Sequence, residues 1–334
     1  MIWKFILPWL CSSMLLGGTI TLTSNNHSTL LYPLWWQSFF SCGDNLYIVI
    51  NGSRISQEPL HLLEWHGDRA LSIFQTTPRE DLYKAYSLAM STDCNQLFMG
   101  SYQAGATYRF DLSGHFKLVA KDEALSEELF YYQDRLIRSA KDSGQMLRVL
   151  SGDPLPALAK INKVLGKDKE HPVDARNNFN KTVLAVYKDT LVICYALDNR
   201  VRLFDLKTGE LRQVYSIGKP FRGYRTPPSD FVARGPGYRQ RVIAWKTSFH
   251  NLLVLRMAQD QVYGFFIKDS DGLGVWAALG GPENKKPLVW DNNQEDTVLL
   301  DILDQRFVLG KVKGLDEDEV VWRLWDSPSL PDRG

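Results

Sequence analysis

The chain has 334 residues, of which 44% are hydrophobic, 12% aromatic and 23% charged. That apolar content excludes intrinsic disorder and suffices for two ordinary domains or one large β domain. A formal net charge of +1 gives no whole-molecule reason to expect nucleic acid as a partner, so electrostatic recognition has to be local.

Met1-Ile-Trp-Lys4 carries one positive charge, and Phe5 to Ile20 then runs for sixteen residues without any. A short basic start followed by roughly 7–15 apolar residues is the layout of a secretory signal, and the polar stretch Thr21 to Ser28 suits a cleavage region. No Ala-x-Ala site is present. An uncleaved anchor is the alternative, although sixteen residues fall short of the roughly 20 that a spanning helix needs. Neither Cys11 nor Cys42 follows the Leu-small-small pattern of a lipoprotein signal. Residues 1–27 are assigned to a signal peptide or membrane anchor, 28–326 to a single folded domain, and 327–334, with Pro328 and Pro331, to a frayed tail. The expected location is periplasmic, cell-surface or secreted, with membrane attachment only through the N-terminal segment. Removing that segment leaves Cys42, Cys94 and Cys194, an odd set that allows at most one internal bridge. Cys194, inside Leu191-Val-Ile-Cys-Tyr195, reads as a small buried hydrophobe.

Further along, short apolar stretches end on glycine. Leu62-Leu-Glu-Trp-His-Gly67, Arg109-Phe-Asp-Leu-Ser-Gly114, Leu147-Arg-Val-Leu-Ser-Gly152 and Leu203-Phe-Asp-Leu-Lys-Thr-Gly209 share one plan, with looser versions ending at Gly272 and Gly314. Most resume with apolar residues, as a hairpin with a glycine turn requires. Upstream of each lies another apolar run: Leu46–Ile50, Leu97–Met99, Leu136–Ile137, Leu191–Ile193, Leu252–Leu255 and Val298–Leu300. The unit therefore reads as turn, inner strand, loop, strand, glycine turn, outer strand. The glycines are 47, 38, 57, 63 and 42 residues apart. Repeats of about 40–50 residues with several strands each are the signature of propeller blades, because one small sheet has nothing to bury its faces against until a ring supplies neighbours. The fold class is all-β, a β-propeller of six blades, with seven as the alternative count. Short helices are expected at Pro156 to Leu165 and Asp122 to Phe130. Closure of the ring is expected from Thr29–Tyr32 and Val320–Trp325 sharing one blade.

These repeats resemble those of exported six-bladed propellers of the TolB/NHL-like group, and Ala233-Arg-Gly-Pro-Gly-Tyr238 is similar to a glycine–proline segment in some of them. The resemblance implies a location outside the cytoplasm and carries no catalytic residue across.

Chemical motifs are sparse. No His-x-His, His-Glu-x-x-His, Cys-x-x-Cys, Gly-x-Ser-x-Gly or phosphate loop is present, so no transition-metal site, nucleophile elbow or cofactor is indicated. Asp44, Asp93, Asp189 and Asp296 could converge on an axial Ca²⁺ as hard oxygen ligands, but turns favour aspartate anyway. Lys219 to Lys246 holds seven bases against the single acid Asp230, interleaved with aromatics and prolines. Arg222, Tyr224, Arg225, Arg234, Tyr238, Arg239 and Arg241 are the candidate ligand-binding residues, since arginine forks and aromatic faces suit carboxylate, phosphate or sugar. The competing reading is pairing with Asp291 to Asp326, which carries ten acids and four bases. The expected function is a monomeric, non-enzymatic binding or scaffold propeller recognising a protein, glycan or anionic ligand. The alternative is a propeller hydrolase or lyase with an axial, Ca²⁺-dependent site.

Overall fold

The computed structural model describes residues 19–23, 37–42, 45–50, 61–66, 69–75, 85–101, 105–111, 116–121, 128–139, 147–166, 182–195, 200–217, 240, 251–258, 260–267, 274–280, 289–291, 297–303, 306–313 and 319–326. Among these, the strands form six antiparallel sheets that follow one another along the chain. The first holds β2 (Gln37–Cys42), β3 (Asn45–Ile50), β4 (His61–His66) and β5 (Arg69–Gln75). The second holds β6 (Ala85–Met90), β7 (Gln96–Ser101), β8 (Ala106–Asp111) and β9 (Phe116–Lys121). The third has β10 (Leu129–Tyr132), β11 (Arg135–Ser139) and β12 (Leu147–Ser151), followed by α1 (Pro156–Gly166). The fourth comprises β13 (Thr182–Tyr187), β14 (Thr190–Tyr195), β15 (Arg200–Asp205) and β16 (Leu211–Ser216). The fifth comprises β17 (Asn251–Ala258), β18 (Gln261–Ile267), β19 (Val275–Gly280) and β20 (Val289–Asp291). In the sixth, β21 (Thr297–Leu303), β22 (Arg306–Lys313) and β23 (Glu319–Asp326) are joined by β1 (Thr19–Thr23), which pairs with β23 from Thr19 opposite Arg323 to Thr23 opposite Glu319.

Successive sheets pack face to face, each interface with its own apolar cluster. Tyr47, Val49 and Leu62 of the first sheet meet Leu97, Met99 and Phe110 of the second. Ala89 and Phe98 meet Leu129 and Leu136. Phe130 and Ile137 meet Leu191, Ile193 and Phe204, while Val192 and Cys194 meet Leu255, Val262 and Phe266. Trp276 meets Leu299 and Ile302, and β2 lies against β21 to bring the first sheet to the last. This is a β-propeller arrangement, in which the faces of neighbouring sheets form the core.

The repeat is visible in the structure with a shift of phase. Gly67, Gly114 and Gly209 lie between the third and fourth strands of their sheets, and Gly152 directly follows the third strand of its own. Gly272 and Gly314 lie between the second and third strands. The runs expected to be inner strands are therefore second strands in the first four sheets, and first strands only in the fifth and sixth. The innermost strands β2, β6, β10 and β13 have no counterpart in the glycine-aligned unit. Leu129 to Tyr132 is a strand, so the helix expected over Asp122 to Phe130 does not include Phe130. The chain ends do share a sheet, but its N-terminal strand is Thr19–Thr23; Thr29–Tyr32 lies outside the described residues.

The Phe-Asp-Leu-x-x-Gly turn has a local reason. Asp205 Oδ1 accepts from the backbone N–H of Lys207 (2.7 Å) and Thr208 (2.9 Å), and Gly209 N–H donates to Asp205 O at 2.7 Å. The Thr208 amide first, then the Arg212 guanidinium and the Lys207 amide, hold the Asp205 carboxyl below the usual carboxylate range. Gly209 has φ +74°, and a Cβ there would stand 2.5 Å from Ala157 O of α1. Glycine is required both by the turn and by the helix packed over it.

Helix α1 explains the uneven spacing around Gly152. Pro156 suits the first helical position, and Leu158, Ile161 and Leu165 face the cluster between the third and fourth sheets. The helix also covers the edge of β12. Leu147 N–H donates to Asn162 Oδ1 at 2.8 Å, and Asn162 Nδ2 donates to Leu147 O at 2.8 Å. A side-chain amide thus takes the place of a fourth strand at this point, satisfying an edge that would otherwise invite pairing. Asn162→Leu should destabilise the fold by about 3 kcal/mol, because both groups of buried Leu147 lose their partner. Asn162→Asp should also be costly, because its second carboxylate oxygen would face the Leu147 carbonyl; urea denaturation of the two variants measures both losses.

Candidate functional site

The first strand of every sheet faces a common axial channel of about 1080 Å³, lined from β2, β6, β10, β13, β17 and β21. Most of the lining is apolar because these strands are also core strands. Charged groups interrupt it at a few places, and several of them are tied to a partner on a different sheet.

The first is a belt inside the channel. Arg256 of β17 meets Asp301 of β21 in a two-pronged pair, Nε to Oδ1 at 2.7 Å and Nη2 to Oδ2 at 2.9 Å. Its Nη1 donates to Leu255 O at 3.0 Å, and Asp301 Oδ1 also accepts from Ile302 N–H at 2.8 Å. The Asp301 side chain is only 5% exposed, whereas Arg256 keeps 28% because it lines the channel. Burial opposes the charge on Arg256, but the facing Asp301 carboxylate outweighs it, with Glu128 adding in the same direction, so the guanidinium is held protonated. Glu128, just before β10, accepts from Ser87 Oγ of β6 at 3.4 Å, and Ser87 Oγ in turn accepts from Leu129 N–H. The Glu128 backbone is clamped to Ser139 by bonds of 3.1 and 2.9 Å.

The second group sits where first strands turn into second strands. All five non-glycine residues with positive φ among the described residues fall in these turns: Cys94, Gln133, Asp134, Lys188 and Asp260. Tight hairpin turns impose that geometry. Tyr132 Oη donates to Asp189 Oδ1 at 2.8 Å, bridging the third and fourth sheets; it accepts from Gln133 Nε2 at 3.1 Å, and Lys207 Nζ lies 2.6 Å from Asp189 Oδ2. Burial and then the Asp189 carboxylate push the Tyr132 hydroxyl up to about 12. Lys207 first, then Tyr132, hold Asp189 below the usual carboxylate range. Tyr131 stacks on Phe98 at 5.4 Å between centroids and donates to Asp134 Oδ1 at 3.4 Å. The Lys188 ammonium lies 4.7 Å from the centre of the Tyr187 ring.

The sequence-derived candidates Arg222, Tyr224, Arg225, Arg234, Tyr238, Arg239 and Arg241 lie outside the described residues, as do Asp44 and Asp296. Asp93 and Asp189 follow first strands rather than begin inner ones. Asp93 accepts from Ser91 Oγ (2.5 Å) and from Asn95, and Asp189 is held as above. Among the described residues no three of His, Cys, Asp or Glu stand together as a metal cluster. The belt residues Glu128, Arg256 and Asp301 and the tyrosines of the turns were not singled out from the sequence. The available signal was a lone charge inside an apolar run, as in Leu252-Leu-Val-Leu-Arg256 and Leu299-Leu-Asp301-Ile-Leu303.

No known protein family matches the chain, and no curated protein matches it. Solved structures do resemble it. A protein described as exported, from Bacteroides fragilis NCTC 9343, aligns over 87% of this chain and 90% of its own at 8% identity and a TM-score of 0.54. A member of the DUF4221 family from Bacteroides vulgatus aligns over 94% and 99% at 8% identity and a TM-score of 0.55. The WD40 β-propeller domain of Doa1 aligns over 92% and 96% at 10% identity, with a TM-score of 0.45. At such identities the likeness is one of fold.

Two outcomes follow from the site's electrostatics. Asp301→Ala should cost about 3–5 kcal/mol by stranding Arg256, whereas Arg256→Leu with Asp301→Leu should cost far less; a double-mutant cycle by chemical denaturation measures both. Because the Tyr132 hydroxyl is raised on folding, its contribution is complete below pH 10 and is lost as the pH rises towards 12. Wild-type stability should fall across that window by up to about 2–3 kcal/mol more than that of Tyr132→Phe.

Proposed function

We propose that this chain is an exported, six-bladed binding propeller of the cell envelope, without catalysis of its own, that takes a hydroxyl-rich ligand of the glycan class at the turn-side mouth of its axial channel. The observation that carries this reading is that the principal ionisable groups of the channel are already bonded to one another. Arg256 and Asp301 use both prongs on each other, and Asp189 is shared between Tyr132 and Lys207. Ser87 Oγ stands 3.4 Å from Glu128 and accepts from the Leu129 N–H, so the hydroxyl is engaged in joining the second and third sheets. Groups locked in this way are poor acids and bases but good pre-organised recognition elements. The hydrolase or lyase reading would need one of them released.

Charge narrows the ligand. Among the described channel-lining residues Glu128, Asp134, Asp189 and Asp301 oppose Lys188 and Arg256, an excess of negative charge there that disfavours anions at this mouth. Carboxylates fixed beside tyrosine rings, two of them braced by Phe98 and Lys188, suit sugar hydroxyls and sugar faces. Anionic recognition would belong to the basic segment 219–246.

Export is supported by the basic start and apolar run at the N-terminus. Since Thr19–Thr23 is a strand of the sixth sheet, we set the end of the signal at Gly18 rather than at residue 27. Phe5 to Gly18 is fourteen residues, long enough for a signal core and too short to span a bilayer.

A thermal-shift panel on residues 19–334 tests the site. Uncharged oligosaccharides should raise Tm, by the equivalent of about 2.7 kcal/mol at a hundred times Kd, and Tyr131→Ala with Tyr187→Ala should abolish the effect. Binding confined to sulfated or uronic-acid chains would move recognition to the basic segment, and turnover of a bound oligosaccharide would restore the enzyme reading.

A further inference from the structure

We propose that Cys42 and Cys94 form a disulfide that staples the first sheet to the second beside the channel mouth. Cys94 is disulfide-bonded, and Cys194 is a free, fully buried thiol in the cluster between the fourth and fifth sheets. With four cysteines in the chain, the partner within it is Cys11 or Cys42.

Position decides between them. Cys94 sits in the turn between β6 and β7, 5% exposed, in the cluster where the second sheet packs on Tyr47, Val49 and Leu62 of the first, with Phe40 of β2 against it. Cys42 is the last residue of β2, paired in register with Asn45 across the turn to β3. The two cysteines thus occupy equivalent places, in the turns that join first and second strands of neighbouring sheets. Ser41 on one side and Ser91 and Thr92 on the other line the same channel. Cys11 precedes β1, which lies at the edge of the sixth sheet farthest from the channel-lining strand β21, while Cys94 lies at the axial end of its sheet.

The positive φ of Cys94, +58°, is a conformation that a residue without a β-branch tolerates at modest cost, and a covalent link to the next sheet would hold it there. Chemically, the two thiols lose two protons and two electrons to an oxidised dithiol carrier or glutathione disulfide, and one S–S bond forms. Such a bond persists in an oxidising compartment and not in a reducing one. It is therefore an indication of export independent of the N-terminal segment, and it stands whether or not the glycan reading holds.

The test is peptide mass mapping of the purified protein, equilibrated in glutathione redox buffer and alkylated under native conditions. The expected result is a Cys42–Cys94 linked peptide, with Cys194 alkylated only after denaturation. In Cys42→Ser the Cys94 thiol should become reactive to maleimide, while Cys194→Ser leaves the link intact. Dithiothreitol should lower the Tm of the wild type but not that of the Cys42→Ser, Cys94→Ser double variant. A Cys11–Cys94 peptide, a Cys94-linked dimer, or Cys94 reduced throughout the oxidising range would overturn the proposal. Failure of export in a cell-fractionation assay would count against the envelope reading alone.

Discussion

In this fold a sheet placed between two others has no solvent face. Leu191, Val192, Ile193 and Cys194 are four consecutive residues of β14 with no exposure at all. Leu191 and Ile193 serve the interface with the third sheet, and Val192 and Cys194 serve the interface with the fifth. The period of two is still present, but it alternates between two apolar neighbours rather than between core and water. Apart from residues such as Arg138 on β11 and Arg202 on β15, polar chemistry is thereby driven to the edges of each sheet, and the inner edges meet at one place.

A charge on an inner strand must find its partner on another sheet, since its own sheet offers mostly apolar neighbours. Arg256 finds Asp301 one sheet on, and Tyr132 finds Asp189 one sheet on. These polar bridges run in the same direction as the apolar clusters, around the axis, and they add orientation to contacts that hydrophobic burial leaves non-directional. The outer edges are handled differently. Asn162 and α1 cover β12, while β9 exposes Leu118 and β16 exposes Leu211 and Val214, scattered as on any protein surface.

The same constraint explains what the sequence disclosed. Glycine turns such as that at Gly209 were legible because the positive φ leaves a residue-type mark, and α1 was legible as the short helix expected at Pro156 to Leu165. The innermost strands were not. Leu129–Tyr132 is short, with Leu129, Phe130 and Tyr132 all buried, and neither it nor Ala85–Met90 ends in a glycine turn that would mark it. Aligning on glycine then took second strands for inner ones in the first four sheets. The site shared that fate, because Glu128, Arg256 and Asp301 are 45 to 173 positions apart and only the ring brings them together. The basic segment attracted notice for the opposite reason: its residues are adjacent in sequence, and adjacency is what a linear reading detects.

The inner-edge groups serve stability, and in the proposed glycan site the same groups would serve recognition. Each Asp189 oxygen takes one bond, from Tyr132 or from Lys207, and a carboxylate oxygen accepts two. A ligand hydroxyl can therefore add to this carboxylate without breaking the bonds that hold it. Such an addition costs no rearrangement of the protein, which favours binding. It also leaves the protonation state of every group unchanged, which is the reverse of what acid–base catalysis demands. Pairing across sheets thus fixes the groups that line the channel by the same bonds that keep neighbouring sheets in register.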